Sequence, residues 1–220
     1  MKKVVVVGAG GHAKVIVDII EKESKFKMMG FIESSLDVGT KILDYEVLGR
    51  EEDLSHLAQK KSIFGGVIAI GDNVIRAKVE KKINRIYSDF NFINCIHPKS
   101  IIAKDVCLGV GNVVMAGVII NPSSTIGNHC ILNTNSSLDH DSSMLDFTSI
   151  APNVVTGGNV KINEYSAIGI GATIFQGVSI GSNCLVGGGS LISKDTQSNS
   201  IYYRNPAKYI REHKLGETSS

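Results

Sequence analysis

The sequence predicts a chain of two structural parts: a small parallel α/β domain over residues 1–95, and an all-β parallel β-helix over residues 96–196. A C-terminal extension and tail, residues 197–220, follows. Two observations carry this reading. A six-residue period runs without insertion through the second part, and a glycine-rich turn opens an alternation of strand and helix patterns in the first.

The period begins at Ile96. Its leading positions are Ile96, Ile102, Leu108, Val114, Ile120, Ile126, Leu132, Leu138, Met144, Ile150, Thr156, Ile162, Ile168, Ile174, Ile180, Val186 and Ile192, so sixteen of seventeen are aliphatic or Met. At the chain's hydrophobic content, chance would supply about seven. Four residues after each leader stands a small residue such as Ser124, Cys130, Ser142, Ser166 or Cys184, with Asn112 as the single departure. Neither a helix nor a flat strand has this period. A three-sided coil does: each hexapeptide is a short strand and a corner, three make one turn, and turns stack about 4.8 Å apart. Leaders then fill the interior and small residues fit the corners. Cys130 and Cys184 fall in one column but three turns apart, about 14 Å, too far for a disulfide in one chain.

Residues before the period follow other rules. Lys3 to Val7 reads as a buried strand, followed by Gly8-Ala9-Gly10-Gly11 and a helix with Val15, Ile16, Ile19 and Ile20 on one face. Met28 to Glu33 gives a second strand, Glu51 to Ala58 a short helix and Ile63 to Ile70 a third strand. Ile75, Val79, Ile83 and Ile86 mark a last helix with Arg76, Lys78, Lys81 and Lys82 outward. In the extension, Tyr202, Tyr203, Tyr209 and Ile210 are the expected anchors, ahead of a disordered tail.

Composition narrows the function. The 220 residues are 43% hydrophobic and 20% charged, with a net charge of +2. That leaves no basic field for nucleic acid. The apolar run Val4–Val7 is too short for a signal peptide or membrane span, and no other segment approaches twenty apolar residues, so no membrane partner and a cytoplasmic location are expected. The four cysteines lack C-x-x-C spacing and are expected to be reduced and buried.

Two features carry chemistry. His140 stands between Asp139 and Asp141. An imidazole is the usual general base near neutral pH, and an adjacent carboxylate raises its basicity. A zinc site from His97, His129 and His140 is the rival. No two of these are eighteen residues apart, so the ligands would have to come from a neighbouring subunit, and no metal is expected. The glycine turn, with Glu33 about twenty residues on, fits a dinucleotide fingerprint. Glycines that admit a phosphate to a helix N-terminus serve a nucleotide sugar equally well, and 95 residues supply only one mononucleotide-binding half. A nucleotide sugar is the preferred ligand, with a dinucleotide or a purely structural turn as alternatives.

These motifs together resemble the bacterial sugar acyltransferases of the left-handed β-helix superfamily, the group of UDP-4-amino-sugar N-acetyltransferases, GDP-perosamine N-acetyltransferases and sialic acid O-acetyltransferases. The resemblance rests on Gly8-Ala9-Gly10-Gly11-His12-Ala13-Lys14, Ile68-Ala69-Ile70-Gly71-Asp72-Asn73, Ile131-Leu132-Asn133-Thr134, Asp139-His140-Asp141, Gly157-Gly158-Asn159-Val160 and Asn205-Pro206-Ala207-Lys208. It implies the left hand of the coil and a homotrimer with acetyl-CoA between adjacent β-helices. It implies His140 as catalytic base and Asp141 as the residue enhancing its basicity. Nucleotide-sugar contacts fall on Gly10, Gly11, His12, Glu33, Ser34 and Gly71; acetyl-CoA contacts fall on Gly158, Ile170 and Gly188, and on Ser149, where the family often has a histidine. The activity implied is acetyl transfer from acetyl-CoA to the amine of a nucleotide-linked 4-amino-4,6-dideoxy sugar in bacterial surface glycan or glycoprotein sugar biosynthesis. Sialic acid O-acetylation, and a non-catalytic trimeric scaffold that binds nucleotide sugars, are the alternatives.

Overall fold

A computed structural model describes residues 1–217, so the end of the expected tail, 218–220, lies outside the described residues. The first part is a six-stranded sheet flanked by helices. β1 (Lys2–Val7) pairs in parallel with β2 (Phe26–Ile32). Beside β2 lie β3 (Lys41–Ile42) and β4 (Tyr45–Gly49), and β5 (Ile63–Ile68) and β6 (Asn91–Phe92) extend the sheet on the other side of β1. The order is β3-β4-β2-β1-β5-β6, and all neighbours are parallel except the β3–β4 hairpin. The pleat sends Val4 and Val6 to the core of α1 (Gly11–Glu23) and sends Val5 and Val7 to the opposite core, with α2 (Leu54–Lys61) and α3 (Asn73–Ile86).

Two side chains depart from expectation here. Val15 is exposed and Val17 takes its place in the core, because α1 buries its Ala13, Ile16, Val17, Ile20 stripe. Arg76, expected to point outward with the lysines of α3, is 1% exposed. The face of α3 that it occupies is covered by the second part of the molecule.

That second part is a triangular prism of two-residue strands, seventeen from β7 (Cys95–Ile96) to β23 (Leu191–Ile192). Up to Thr173–Ile174, each pairs in parallel with the strand eighteen residues on, as in Val113 with Ile131 and Ile131 with Ser149. Three faces result. Face 1 holds Cys95–Ile96, Val113–Val114, Ile131–Leu132, Ser149–Ile150, Ala167–Ile168 and Leu185–Val186; face 2 starts at Ile101–Ile102 and face 3 at Cys107–Leu108. Every leader from Val114 to Ile192 is buried, and α1 joins the same core at the first coil.

The corners explain why the period never slips. From Gly111 to Gly189 every sixth residue adopts the left-handed conformation, with φ from 52° to 62° at the non-glycine positions Ser123 to Asn183. Such a turn favours glycine or asparagine, which supply Gly117, Asn135, Asn153, Asn159, Gly171, Gly177, Asn183 and Gly189. The small residue that follows is a hydrogen-bonding element as well as a space filler. Ser166 Oγ accepts from Cys184 N–H at 2.9 Å and donates to the Gly181 carbonyl at 2.6 Å. Asn112, the departure, does the same with a longer arm: Oδ1 accepts from Cys130 N–H at 2.7 Å and Nδ2 donates to the Gly127 carbonyl at 2.9 Å.

The extension adds β24 (Ser200–Tyr203) to face 1 beside Leu185–Val186, and β25 (Lys208–Glu212) folds back on it. Its buried anchors are Ile201 and His213 rather than Tyr203, Tyr209 and Ile210, which are exposed, while Tyr202 is half-buried. Cys107 is also exposed, unlike the other three cysteines, because it faces outward on a strand that nothing covers. Among the described residues no helix is long and apolar enough to cross a membrane.

If Asn112 stands in for a corner serine, Asn112→Ser should keep the fold with little loss. Asn112→Leu should cost about 1–3 kcal/mol, because it strands a buried N–H and a carbonyl; chemical unfolding of both variants checks this.

Candidate active site

His140 sits on the edge between faces 2 and 3, just after the strand Ser137–Leu138. The corner conformation falls on Asp141, φ 57°, and turns its carboxylate back toward the ring. His140 Nδ1 lies 2.7 Å from Asp141 Oδ2, and both side chains are about half exposed, 50% and 53%. A carboxylate accepts only, so Nδ1 carries the proton and Nε2 is left as the basic nitrogen. The hydrogen bond to Asp141 raises the His140 pKa, and the charges of Asp139 and Asp141 add to it.

The other neighbours of His140 hold its backbone. Asp139 Oδ1 accepts from the His140 N–H at 2.8 Å and from Asn121 Nδ2 at 2.6 Å, and these bonds keep its carboxyl below the usual range. Thr156 Oγ1 accepts from the Asp139 N–H at 3.0 Å. Thr156 is the one polar leader, so the break in the repeat marks a support for this loop. Gly158, one coil on, lies directly beneath the ring: a Cβ there would stand 2.5 Å from His140 Cε1 and Nε2.

The glycine turn forms a second centre. Gly8, Ala9, Gly10, Glu33, Ser34 and Glu51 line a cavity of about 370 Å³, closed on its apolar side by Ile70, Ile75 and Val79. Burial would raise the pKa of Glu33, but bonds from Ser35 and from the Ala9 N–H, at 3.1 Å, outweigh it and keep the carboxylate ionised. His12 turns the other way. With Gly71 it lines a cavity of about 180 Å³ against Ile131 and Ser149 of face 1 and Asn133 and Ala151 just beyond those strands. Burial, with Arg76 nearby, lowers its pKa to about 4, so it is neutral, and its Nε2 is buried without a partner.

The candidate residues therefore divide. Gly10, Gly11, His12, Glu33, Ser34 and Gly71 belong to the first part, which packs on face 1 and on the edge between faces 3 and 1. Asn73 Nδ2 reaches the carbonyls of Tyr165 and Ser166 there, and Arg76 Nε reaches the carbonyl of His129 at 2.8 Å. Ser149 is on face 1; Ile170 and Gly188, stacked one coil apart, are on the edge between faces 1 and 2. His140, Asp141 and Gly158 are on the remaining edge, the one face 1 does not touch. His97, His129 and His140 stand on three different edges, so they do not converge within the chain, and among the described residues no cluster of His, Cys, Asp or Glu is suited to a metal.

Sequence reasoning missed Thr156, Asn73 and Arg76. Thr156 was signalled by its departure from the leaders, and Asn73 by its place in the Gly71-Asp72-Asn73 motif; nothing in the sequence separates Arg76 from its surface neighbours.

This fold and this histidine define a class, the hexapeptide-coil acyltransferases with a small α/β domain in front. Residues 3–83 match the family model of the PglD N-terminal domain. A solved structure of a histidine-to-alanine variant of GDP-perosamine N-acetyltransferase from Caulobacter crescentus, in complex with CoA and GDP-perosamine, is 30% identical. It superposes with a TM-score of 0.90 over 96% of this chain and 98% of that one. The acetyltransferase domain of PglB from Neisseria gonorrhoeae, in complex with acetyl coenzyme A, is 28% identical, with a TM-score of 0.86 over 95% and 99%. GDP-perosamine N-acetyltransferase of Escherichia coli O157:H7 is 28% identical over 78% of this chain and 77% of its own length. The chain belongs to this family of left-handed β-helix sugar acyltransferases and is an acetyltransferase.

Because the ring rests on Gly158, Gly158→Ala should push His140 off Asp141 and lower kcat roughly 100-fold while leaving the unfolding midpoint nearly unchanged; steady-state kinetics beside thermal unfolding tests this.

Proposed function

We propose that the chain transfers an acetyl group from acetyl-CoA to the amine of a nucleotide-linked 4-amino-4,6-dideoxy sugar, within bacterial surface glycan or glycoprotein sugar biosynthesis. The observation that carries this reading is the His140–Asp141 pair, with Nε2 free at a half-exposed edge. His140 Nε2 takes a proton from the sugar amine as its nitrogen attacks the thioester carbonyl. Asp141 stabilises the imidazolium through Nδ1–H. The tetrahedral intermediate collapses, the C–S bond breaks, and the thiolate of CoA takes the proton from His140. No covalent enzyme intermediate is required. In the complex with CoA and GDP-perosamine named above, one histidine of the perosamine enzyme is replaced by alanine, as expected if that histidine drives turnover.

Residues 1–95 bind the nucleotide sugar in this reading, 96–196 carry acyl transfer, and 197–220 form the extension. The separation of the candidate residues supports a homotrimer. Face 1 is covered by the first part of the chain, and face 3 shows Thr125, Ser143, Lys161 and Ser179 outward. Face 2 shows exposed Ile101, Ile119 and Val155. Three copies with face 2 turned to a common axis bury these side chains. They also bring the edge with Ile170 and Gly188 of one copy against the edge with His140 of the next. The glycine turn, on the far side of the prism from its own His140, then serves the histidine of a neighbouring subunit, with acetyl-CoA between them.

Three outcomes are expected. His140→Ala loses roughly 100- to 10,000-fold in kcat while light scattering still gives a trimer; full activity in that variant would sink the assignment. Asp141→Asn removes the bond that raises the His140 pKa, so the acid limb of the kcat/KM profile, where His140 must be neutral, shifts to lower pH with a lower plateau. Thiol release from acetyl-CoA occurs with a UDP-, GDP- or dTDP-linked 4-amino sugar and not with free sialic acid; release with sialic acid alone would make the acceptor a hydroxyl.

A further inference from the structure

Three cavities share one short turn. Ile70 lines the cavity of the glycine turn, and Gly71 lines both the cavity of His12 and one of about 400 Å³ bounded by Asp72, Tyr165, Leu185 and His213. No lysine or arginine lines any of the three.

The turn is held from behind by Arg76. Nη1 donates to the carbonyls of Ile70 at 2.8 Å and Gly71 at 3.0 Å. Nη2 donates to Asn73 Oδ1 at 2.6 Å, and Nε crosses to the His129 carbonyl. Every acceptor is neutral. Asp72, four residues before it, acts on Arg76 only through space, because its Oδ1 accepts from the N–H groups of Val74 and Ile75 at the start of α3. Burying a charge without a hydrogen-bonded counter-charge is costly, and burial pulls the Arg76 pKa down to about 10. Asn73 continues the chain of bonds to Tyr165 and Ser166, so the wall of the cavities is tied to the coil through one guanidinium and one amide.

We infer that Arg76 is a positioning residue for the diphosphate of the nucleotide sugar: it fixes the Ile70–Gly71 wall against the coil, and its charge complements the ligand's from behind that wall. This rests on the nucleotide-sugar reading above and adds the source of positive charge that the cavities themselves lack. At His12 burial lowers the pKa, and the charge of Arg76 adds to it. A forked guanidinium meets four acceptors where an ammonium would meet fewer, which explains arginine rather than lysine.

The test is calorimetric titration of GDP, UDP and dTDP into the full-length wild type, Arg76→Lys and Arg76→Met, with KM for acetyl-CoA and the pH profile of kcat measured in parallel. Arg76→Met should bind the nucleoside diphosphate preferred by the wild type roughly tenfold or more weakly, and Arg76→Lys should fall between. KM for acetyl-CoA and the pH profile set by His140 should stay unchanged. Nucleotide affinity within about twofold of wild type in both variants overturns the inference. So does a parallel loss of nucleotide affinity, acetyl-CoA KM and kcat, or failure of both variants to fold, since either makes Arg76 a general folding element. A wild type that binds none of the three nucleotides overturns the nucleotide-sugar reading as well, which keeps the two failures distinguishable.

Discussion

Every sixth residue from Gly111 to Gly189 turns a corner of the coil with positive φ, and the rest of the molecule follows from meeting that requirement at a fixed spacing. Because the corner recurs without insertion, residues eighteen apart stack in columns along the prism. Glycine and asparagine meet the requirement at little cost. His129, Phe147 and Tyr165 meet it at about 1–2 kcal/mol each, offset by stacking in one column: the rings of His129 and Phe147 are 5.1 Å apart, and those of Phe147 and Tyr165 are 5.7 Å apart, all nearly parallel. This aromatic column lies on the edge where the first part of the chain docks. Aspartate also tolerates the corner, and there it becomes the partner of the proposed base.

The same regularity keeps functional groups apart. Three faces and three edges give each column one outlook, so groups on different edges of one chain do not meet. The glycine turn and His140 are separated in this way, and the apolar face between the two remaining edges offers the means of joining them across copies. Beside the packing of α1 on the first coil, Arg76 and Asn73 fix the first part to the coil at the Ile70–Gly71 turn. Errors in that joint would displace the cavity of the glycine turn without touching the histidine.

Much of this was legible in the sequence. The period gave the leaders, the corners and the strand spacing, because the coil repeats one local solution and leaves tertiary packing little freedom to override it. The acid-flanked histidine stood out against that background, and the glycine turn located the front of the molecule. What escaped notice depended on contacts between the parts. Arg76 has the spacing of a surface residue on α3, and only the coil that covers it makes it buried; Val15 and Val17 exchange places by a small rotation of α1 that periodicity does not resolve. Asn112 looked like a flaw and proves to make the hydrogen bonds of a serine. Thr156 looked like one too, and its hydroxyl holds the loop of the proposed base.

The central claim, that one subunit's nucleotide site serves another subunit's histidine, is tested most directly by mixing two inactive variants. His140→Ala lacks the base, and Gly10→Glu places a carboxylate in the glycine turn. After unfolding and refolding together, hybrid trimers should regain acetyl transfer, because some sites combine an intact glycine turn from one chain with an intact His140 from another. Hybrids that form and remain inactive would mean that both centres act within a single chain, and would contradict the account.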